Sequence, residues 1–257
     1  CHDKPSRVVR TKQESSMALS LKSLKEGAVD ACVSAGNTGV LMALSLFALG
    51  CLPGISRPAI CAEIPTARGS KFMLDLGANI DCCAEQLYQF ATLGSHTANL
   101  TLGITNPSVR LLNVGSEAGK GNNLVQATAK LLEANPRLNY QGFIEGDGIL
   151  KGVADVIVCD GFSGNVALKA CEGVARHIYQ KLAAYSNDVN DDLAAIKASI
   201  QPSLFNGAYL LGIDGVVVKS HGGADIQGFA NALERAINAA RYQLPTALTP
   251  LLKQKLN

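Results

Sequence analysis

The 257-residue chain has no tryptophan and only 5% aromatic residues, which removes the stacking surfaces expected of a single-strand nucleic-acid binder or an aromatic-lined sugar groove. Charge is scarce as well, at 17% of residues, and nearly balanced: 23 Lys and Arg face 21 Asp and Glu, a net charge of +2. No dense basic field is available to hold nucleic acid. Several nucleotide, metal and hydrolase signatures are also missing. There is no Walker GK[ST], no dinucleotide GxGxxG, no Gly-x-Ser-x-Gly elbow and no CxxC or Cys/His ligand spacing, so no metal or cofactor is expected. The stretch from Ala31 to Ser56 carries no Lys, Asp or Glu, yet GNTG, Gly50 and Pro53 interrupt it. Its apolar part, Val40 to Leu52, falls short of the roughly 20 residues that cross a bilayer and predicts a buried helix instead.

What the chain has is apolar and small residues: 47% hydrophobic, with 25 Gly and many Ala-rich segments. That composition suits helices packed closely on a sheet. The eight cysteines, Cys1, Cys32, Cys51, Cys61, Cys82, Cys83, Cys159 and Cys171, sit mostly among apolar neighbours. They are read as buried free thiols in a reducing cytoplasm, with no secretory signal expected.

Short apolar runs ending in Gly or Asp alternate with longer helix-spaced stretches, the pattern of βα units around a mainly parallel sheet. Strands are predicted at Val29–Ser34, Ala59–Ile64, Lys71–Leu76, Val109–Val114, Gln141–Gly146 and Asp155–Asp160, and the stretch AYLLGIDGVVVKS reads as a hairpin. Helices are predicted over Ala84–Asn99, over Asn165–Tyr185 and after Asp225. In the last, Ile226, Phe229, Ala230, Leu233, Ile237 and Ala240 recur at helical steps and are expected to face the core, with Asp225 as cap. SNDVNDD, Ser186–Asp192, is the expected exposed loop, and residues 1–257 read as a single unit that could be bilobal.

Ligands of parallel α/β sheets gather beyond the carboxyl ends of the strands, where helix N-termini point free N–H groups outward. Several motifs fall at such positions. SAGNTG offers Ser34, Gly36, Asn37, Thr38 and Gly39, a set suited to phosphate. DLGAN offers Asp75, Gly77 and Asn79; CDGFSGN offers Asp160, Gly161, Gly164 and Asn165. Each is also readable as a capped turn, and three together point to a site. Lys120 stands between Gly119 and Gly121 in NVGSEAGKGN, where a cation can meet an anionic ligand or a developing oxyanion, although a solvated surface lysine is the plain alternative. His221 in KSHGGAD is placed to donate a proton or hold phosphate, or to be structural. His2, His96 and His177 receive no role. Cys82, Cys83 and Cys159 lack an evident paired base, so direct attack by a bound substrate is simpler than an acyl-enzyme.

These segments, together with SSM (Ser15–Met17), RPA (Arg57–Ala59), LLNVGSEAGKGN (Leu111–Asn122) and NGAYLLG (Asn206–Gly212), occur in an order that resembles the bacterial acyl-ACP:phosphate acyltransferases of phospholipid synthesis. The resemblance runs from about Val8 to the final helix. It implies formation of acyl phosphate from acyl-acyl-carrier-protein and inorganic phosphate, without a cofactor. It also implies a three-layer α/β/α sandwich like isocitrate and isopropylmalate dehydrogenases, usually as a homodimer. Lys120 and Asn165 match the family residues that activate and position phosphate and thioester, and SAGNTG, DLGAN and KSHG match the surrounding pocket. A functional link to the membrane glycerol-3-phosphate acyltransferase and a cytoplasmic location follow from the same likeness. The family's opening βα units, before its RTKQESSM-like segment, are expected to be missing from this chain. Its amphipathic membrane-contact segment is only weakly represented at Val189–Phe205, which makes peripheral membrane attachment a weaker inference. Two other readings stay open: a NAD- and metal-dependent decarboxylating dehydrogenase of the same architecture, and a non-catalytic scaffold of lipid synthesis.

Overall fold

Successive side chains of a strand point to opposite faces, so a strand covered on both sides must be apolar at every position. Most strand positions here are, with Glu63, Lys71, Arg110 and Lys219 as the charged exceptions. Cys61, Phe72, Leu74, Val109, Leu111, Val156, Val158, Tyr209 and Val218 face one buried cluster, while Ile60, Ala62, Ile64, Met73, Ile157, Leu210 and Val217 face the other. A computed structural model describes residues 13–184 and 201–252. Cys1, His2 and the Ser186–Asp192 loop lie outside these residues, as does the 189–200 part of the expected membrane-contact segment.

In chain order the elements are α1 (Ser16–Lys25), β1 (Cys32–Ser34), α2 (Thr38–Leu49), β2 (Ala59–Thr66), β3 (Gly69–Leu74), α3 (Ala84–Leu102), β4 (Ser108–Leu112) and α4 (Asn123–Glu133). Then come β5 (Asn139–Ile144), a 3-10 turn (Gly146–Lys151), β6 (Val156–Val158), α5 (Gly161–Ala184) and a second 3-10 turn (Pro202–Phe205). The chain continues through β7 (Ala208–Leu211), β8 (Val217–Lys219), α6 (Ile226–Arg241) and α7 (Leu244–Leu252). The strands form one sheet of eight in the order β1-β8-β7-β2-β3-β6-β4-β5. Helices α3, α4, α6 and α7 contribute to the cluster on one face, and α1, α2 and α5 pack against the other, giving the three-layer α/β sandwich.

The sheet is mixed but mostly parallel, as expected. β3, β6, β4 and β5 run parallel, and β1 runs parallel to β8, but β2 and β7 are antiparallel to both their neighbours. Three reversals separate β1 from β3, so β1 and β8 point opposite to β3, β4, β5 and β6. The expected hairpin is present as β7 and β8. Asp155 ties three strands at their starts: its carboxylate accepts from Lys71 Nζ of β3 at 2.7 Å and from the Ser108 amide of β4 at 2.8 Å, just before β6 begins.

Several sequence expectations need correction. The α6 residues Ile226, Phe229, Leu233 and Ile237 are exposed, Ile226 by 92%, while Gly228, Ala232, Ala236 and Ala239 are buried. Small side chains let the helix axis approach the sheet closely, and the larger apolar stripe then turns outward. The apolar helix at Val40–Leu52 is α2, and it is buried along one side only, with Phe47 66% exposed. α5 starts at Gly161, four residues earlier than expected. Of the described cysteines all are free, yet only Cys32, Cys61 and Cys159 are buried, and Cys83 is exposed.

Candidate active site

Because β3, β6 and β4 are parallel neighbours, their carboxyl ends deliver DLGAN, CDGFSGN and the Lys120 loop to one edge of the sheet. Asp75 organises the first of these. Its carboxylate is wholly buried and accepts from the amides of Ile60 at 2.8 Å, Ala78 at 3.1 Å and Asn79 at 2.7 Å, and from Asn79 Nδ2 at 3.0 Å. Burial pushes its pKa above the ordinary carboxylate value against the pull of those four donors. With both oxygens occupied and turned inward, Asp75 holds the loop in shape. Asn79 is nearly as enclosed and also donates to the Pro58 carbonyl at 2.8 Å.

The second loop packs directly on the first. The Gly161 amide donates to the Asn79 carbonyl at 2.8 Å, and a β-carbon on Gly161 or Gly164 would run into the backbone of Asn79 or of Asp75. Asp160 caps α5 by accepting from the amide of Ser163 at 2.9 Å and its hydroxyl at 2.8 Å. Asn165 therefore sits in the first turns of α5, exposed, on a helix start pressed against the DLGAN loop. Gly77, at φ 118°, faces it: a β-carbon there would lie 3.6 Å from the Asn165 side chain.

Lys120 is exposed in the loop after β4. Asn113 closes that loop by donating through Nδ2 to the carbonyls of Gly115 and Lys120, each at 3.0 Å, and Gly121, at φ 98°, leaves the room Asn113 needs. The loop's shape is thus fixed while its ammonium is free to meet an anion. The thiols nearby are poorly suited to nucleophilic work. Burial pushes Cys82 up to about 11 and holds Cys159 well above its usual value, with the carboxylates of Asp75 and Asp160 adding to the shift.

SAGNTG and KSHGGAD lie at the opposite edge, because β1 and β8 run the other way. There the Ser220 amide donates to the Ser34 carbonyl, the Ser34 hydroxyl accepts from Gly36, and Asn37 caps α2 through the Val40 amide. Thr38 and Gly39 form the first turn of α2, and Gly36 packs against Met17. Asn206, almost fully buried, joins this edge together: it donates to Ser220 Oγ at 2.9 Å and to the Gly228 carbonyl, and accepts from the His221 amide at 2.6 Å. His221 is exposed, with Nδ1 accepting from the Gly223 amide at 3.0 Å. A cavity of about 400 Å³ opens here between α5, the second 3-10 turn and the start of α6.

The predicted residues thus fall into two groups: Asp75, Gly77, Asn79, Asp160, Gly161, Gly164, Asn165 and Lys120 at one edge, and Ser34 to Gly39 with His221 at the other. Asn113 and Asn206 were missed as organisers of the site. An Asn directly after a strand or before a Gly is their only local signal, and it is the common signal of any turn. Among the described residues no group of His, Cys, Asp or Glu could hold a metal ion, and no helix is long and apolar enough to cross a membrane.

Comparison with known proteins adds to this geometry. A family model described as fatty acid synthesis protein matches residues 1–247. The chain is 49% identical to a phosphate acyltransferase of Pseudomonas fluorescens (strain Pf0-1) across 99% of its own length and 79% of that protein. It is 50% identical to a phosphate acyltransferase of Pseudomonas syringae pv. tomato across 96% of itself and 75% of that protein. Among solved structures, a phosphotransacetylase from Streptococcus pyogenes superposes with a TM-score of 0.56 at 20% identity, covering 89% of this chain and 65% of that one. The EutD phosphotransacetylase from Staphylococcus aureus gives 0.56 at 17%, covering 94% and 75%. These last two establish likeness of fold.

Proposed function

This chain belongs to the phosphate acyltransferases, the family of fatty acid synthesis proteins, and from that premise we propose that it moves a fatty acyl group from acyl-acyl-carrier-protein to inorganic phosphate. The observation that carries the proposal is the convergence of the Lys120 loop and the Asn165 start of α5 on one sheet edge, beside a loop locked by Asp75. An oxygen of hydrogen phosphate attacks the thioester carbon, the carbonyl oxygen takes up negative charge, and the C–S bond then breaks. The phosphate proton goes to the leaving thiolate, which balances the step as acyl phosphate plus carrier thiol, with no cofactor. The nucleophile is already anionic, so the barrier is dominated by charge and by orientation. Lys120 supplies the compensating charge; Asn165, at a helix N-terminus, holds the phosphate in line. Asp160, Gly161, Gly164 and Gly77 keep that helix start in place.

The other parts of the reading travel with it: a single unit over residues 1–257, an isocitrate-dehydrogenase-like architecture, a homodimer and a cytoplasmic location. An acyl phosphate is a reactive mixed anhydride, which suits direct use by a glycerol-3-phosphate acyltransferase at the membrane. The test is release of acyl phosphate and free carrier thiol from acyl-carrier protein, dependent on phosphate and unaffected by nicotinamide or chelator. A folded wild-type chain that released neither would overturn the proposal.

A further inference from the structure

Helix α5 connects the two edges of the sheet. Asn165, Glu172 and Arg176 stand seven and eleven residues apart, which are whole numbers of helical turns to within about 20°, so they share one face of α5. At 1.5 Å per residue, Glu172 and Arg176 lie roughly 10 and 16 Å along the axis from Asn165. Both line the 400 Å³ cavity at the far edge, with Ser203, Asn206, His221 and Asp225. The cavity therefore opens on the same side of α5 as Asn165, one long substituent away.

The charges around the cavity favour an anion. Arg176 is exposed and has no partner among the described residues. Lys169 pairs with Glu172 at 2.7 Å, which takes that carboxylate out of competition, and Asp225 is turned back to cap α6 through the Gly228 amide at 2.7 Å. Lys219 lies half-buried close by, held below its ordinary pKa first by burial and then by Lys169. His221 and the remaining free amides at the start of α6 complete the donors.

We propose that this cavity binds the phosphate end of the acyl donor's phosphopantetheine arm, with Arg176 as its principal anchor. The assignment rests on the acyl transfer reading for the position of the thioester near Asn165. From the thioester sulfur to the phosphorus such an arm has about a dozen bonds, and at roughly 1.2–1.3 Å of projected length each it spans about 15 Å. That matches the distance from Asn165 to the cavity. Inorganic phosphate presents the same chemistry, but as the nucleophile it must reach within about 3.5 Å of the thioester carbon, too near Asn165 to rest against Arg176.

Calorimetry on this chain with three probes decides the matter: 4′-phosphopantetheine, pantetheine and inorganic phosphate. Wild type is expected to bind phosphopantetheine at least about tenfold more tightly than pantetheine, on the scale of one charge-assisted contact. Arg176→Gln erases that preference, and Arg176→Lys keeps most of it. Equal binding of the two pantetheines, no binding of either, or a preference unchanged in Arg176→Gln overturns the proposal. So does Arg176-dependent binding of inorganic phosphate that phosphopantetheine does not displace. The acyl phosphate assay is read separately. If it fails while the Arg176-dependent preference remains, the functional reading falls and the cavity's assignment stands.

Discussion

Lys120 extends from a loop whose shape Asn113 maintains through backbone carbonyls, and its own side chain is exposed. Replacing it with Ala should leave the thermal melt unchanged and lower turnover by about 10²-fold or more, the scale of losing one oxyanion-stabilising donor. Asn165 also leaves the core untouched when truncated. Asn165→Ala should raise the apparent KM for phosphate as well as slow the reaction, because it removes an interaction made by the nucleophile before and during attack. Initial rates over a phosphate series separate the two: a Lys120→Ala defect confined to KM, or an Asn165→Ala defect with unaltered phosphate dependence, would reverse the roles. Both residues were singled out in the sequence by their motifs, a lysine between glycines and the last residue of CDGFSGN, while the roles proposed for them came from the family resemblance. Asp75 was legible only as a strand-end carboxylate. That its oxygens are filled by Ile60, Ala78 and Asn79 depends on a strand fifteen residues away.

At the scale of elements, the Lys71–Asp155–Ser108 cluster binds the starts of β3, β6 and β4, and both charged side chains are largely enclosed. Burial pushes the Asp155 pKa up, but Lys71 and Ser108 outweigh it and hold it below the ordinary carboxylate value. A carboxylate whose folded pKa is depressed contributes stability above its unfolded pKa and loses it as pH falls through the folded value. The stability gap between wild type and Asp155→Asn should therefore be widest near neutrality and shrink below about pH 4, as urea midpoints across a pH series will show. A constant gap would mean that the ion pair contributes nothing. Helix α6 gives a second test. Ala236 is 2% exposed against the sheet, whereas Leu233 is 42% exposed. Ala236→Leu should cost about 1–3 kcal/mol by overpacking, and Leu233→Gln no more than about 0.5 kcal/mol. Periodicity alone chose the wrong stripe here, because the helix carries two apolar faces and hydropathy ranks the larger residues first. Close approach of helix to sheet selects the smaller ones.

For the whole molecule, the exposed stripe of Phe229, Leu233 and Ile237 on α6, together with Val166, Val174 and Ile178 on α5, leaves apolar surface that a second copy would cover. Light scattering at micromolar concentration should report a homodimer, and a monomer alone would count against it. The α/β layering was readable from the sequence, since strands buried on both faces must be continuously apolar and helices between them must be amphipathic. The order of these motifs along the chain was enough to indicate the family. What hydropathy could not contain was the direction of each strand. Apolar runs look alike whether a strand pairs parallel or antiparallel, so although the IDG turn gave the β7–β8 hairpin, nothing local foretold that β2 runs antiparallel to both β7 and β3 and so sends SAGNTG and KSHGGAD to the edge opposite Lys120 and Asn165. Only long-range pairing decided that, and with it the placing of a cavity midway along α5, one donor arm's length from the residues proposed to carry the reaction.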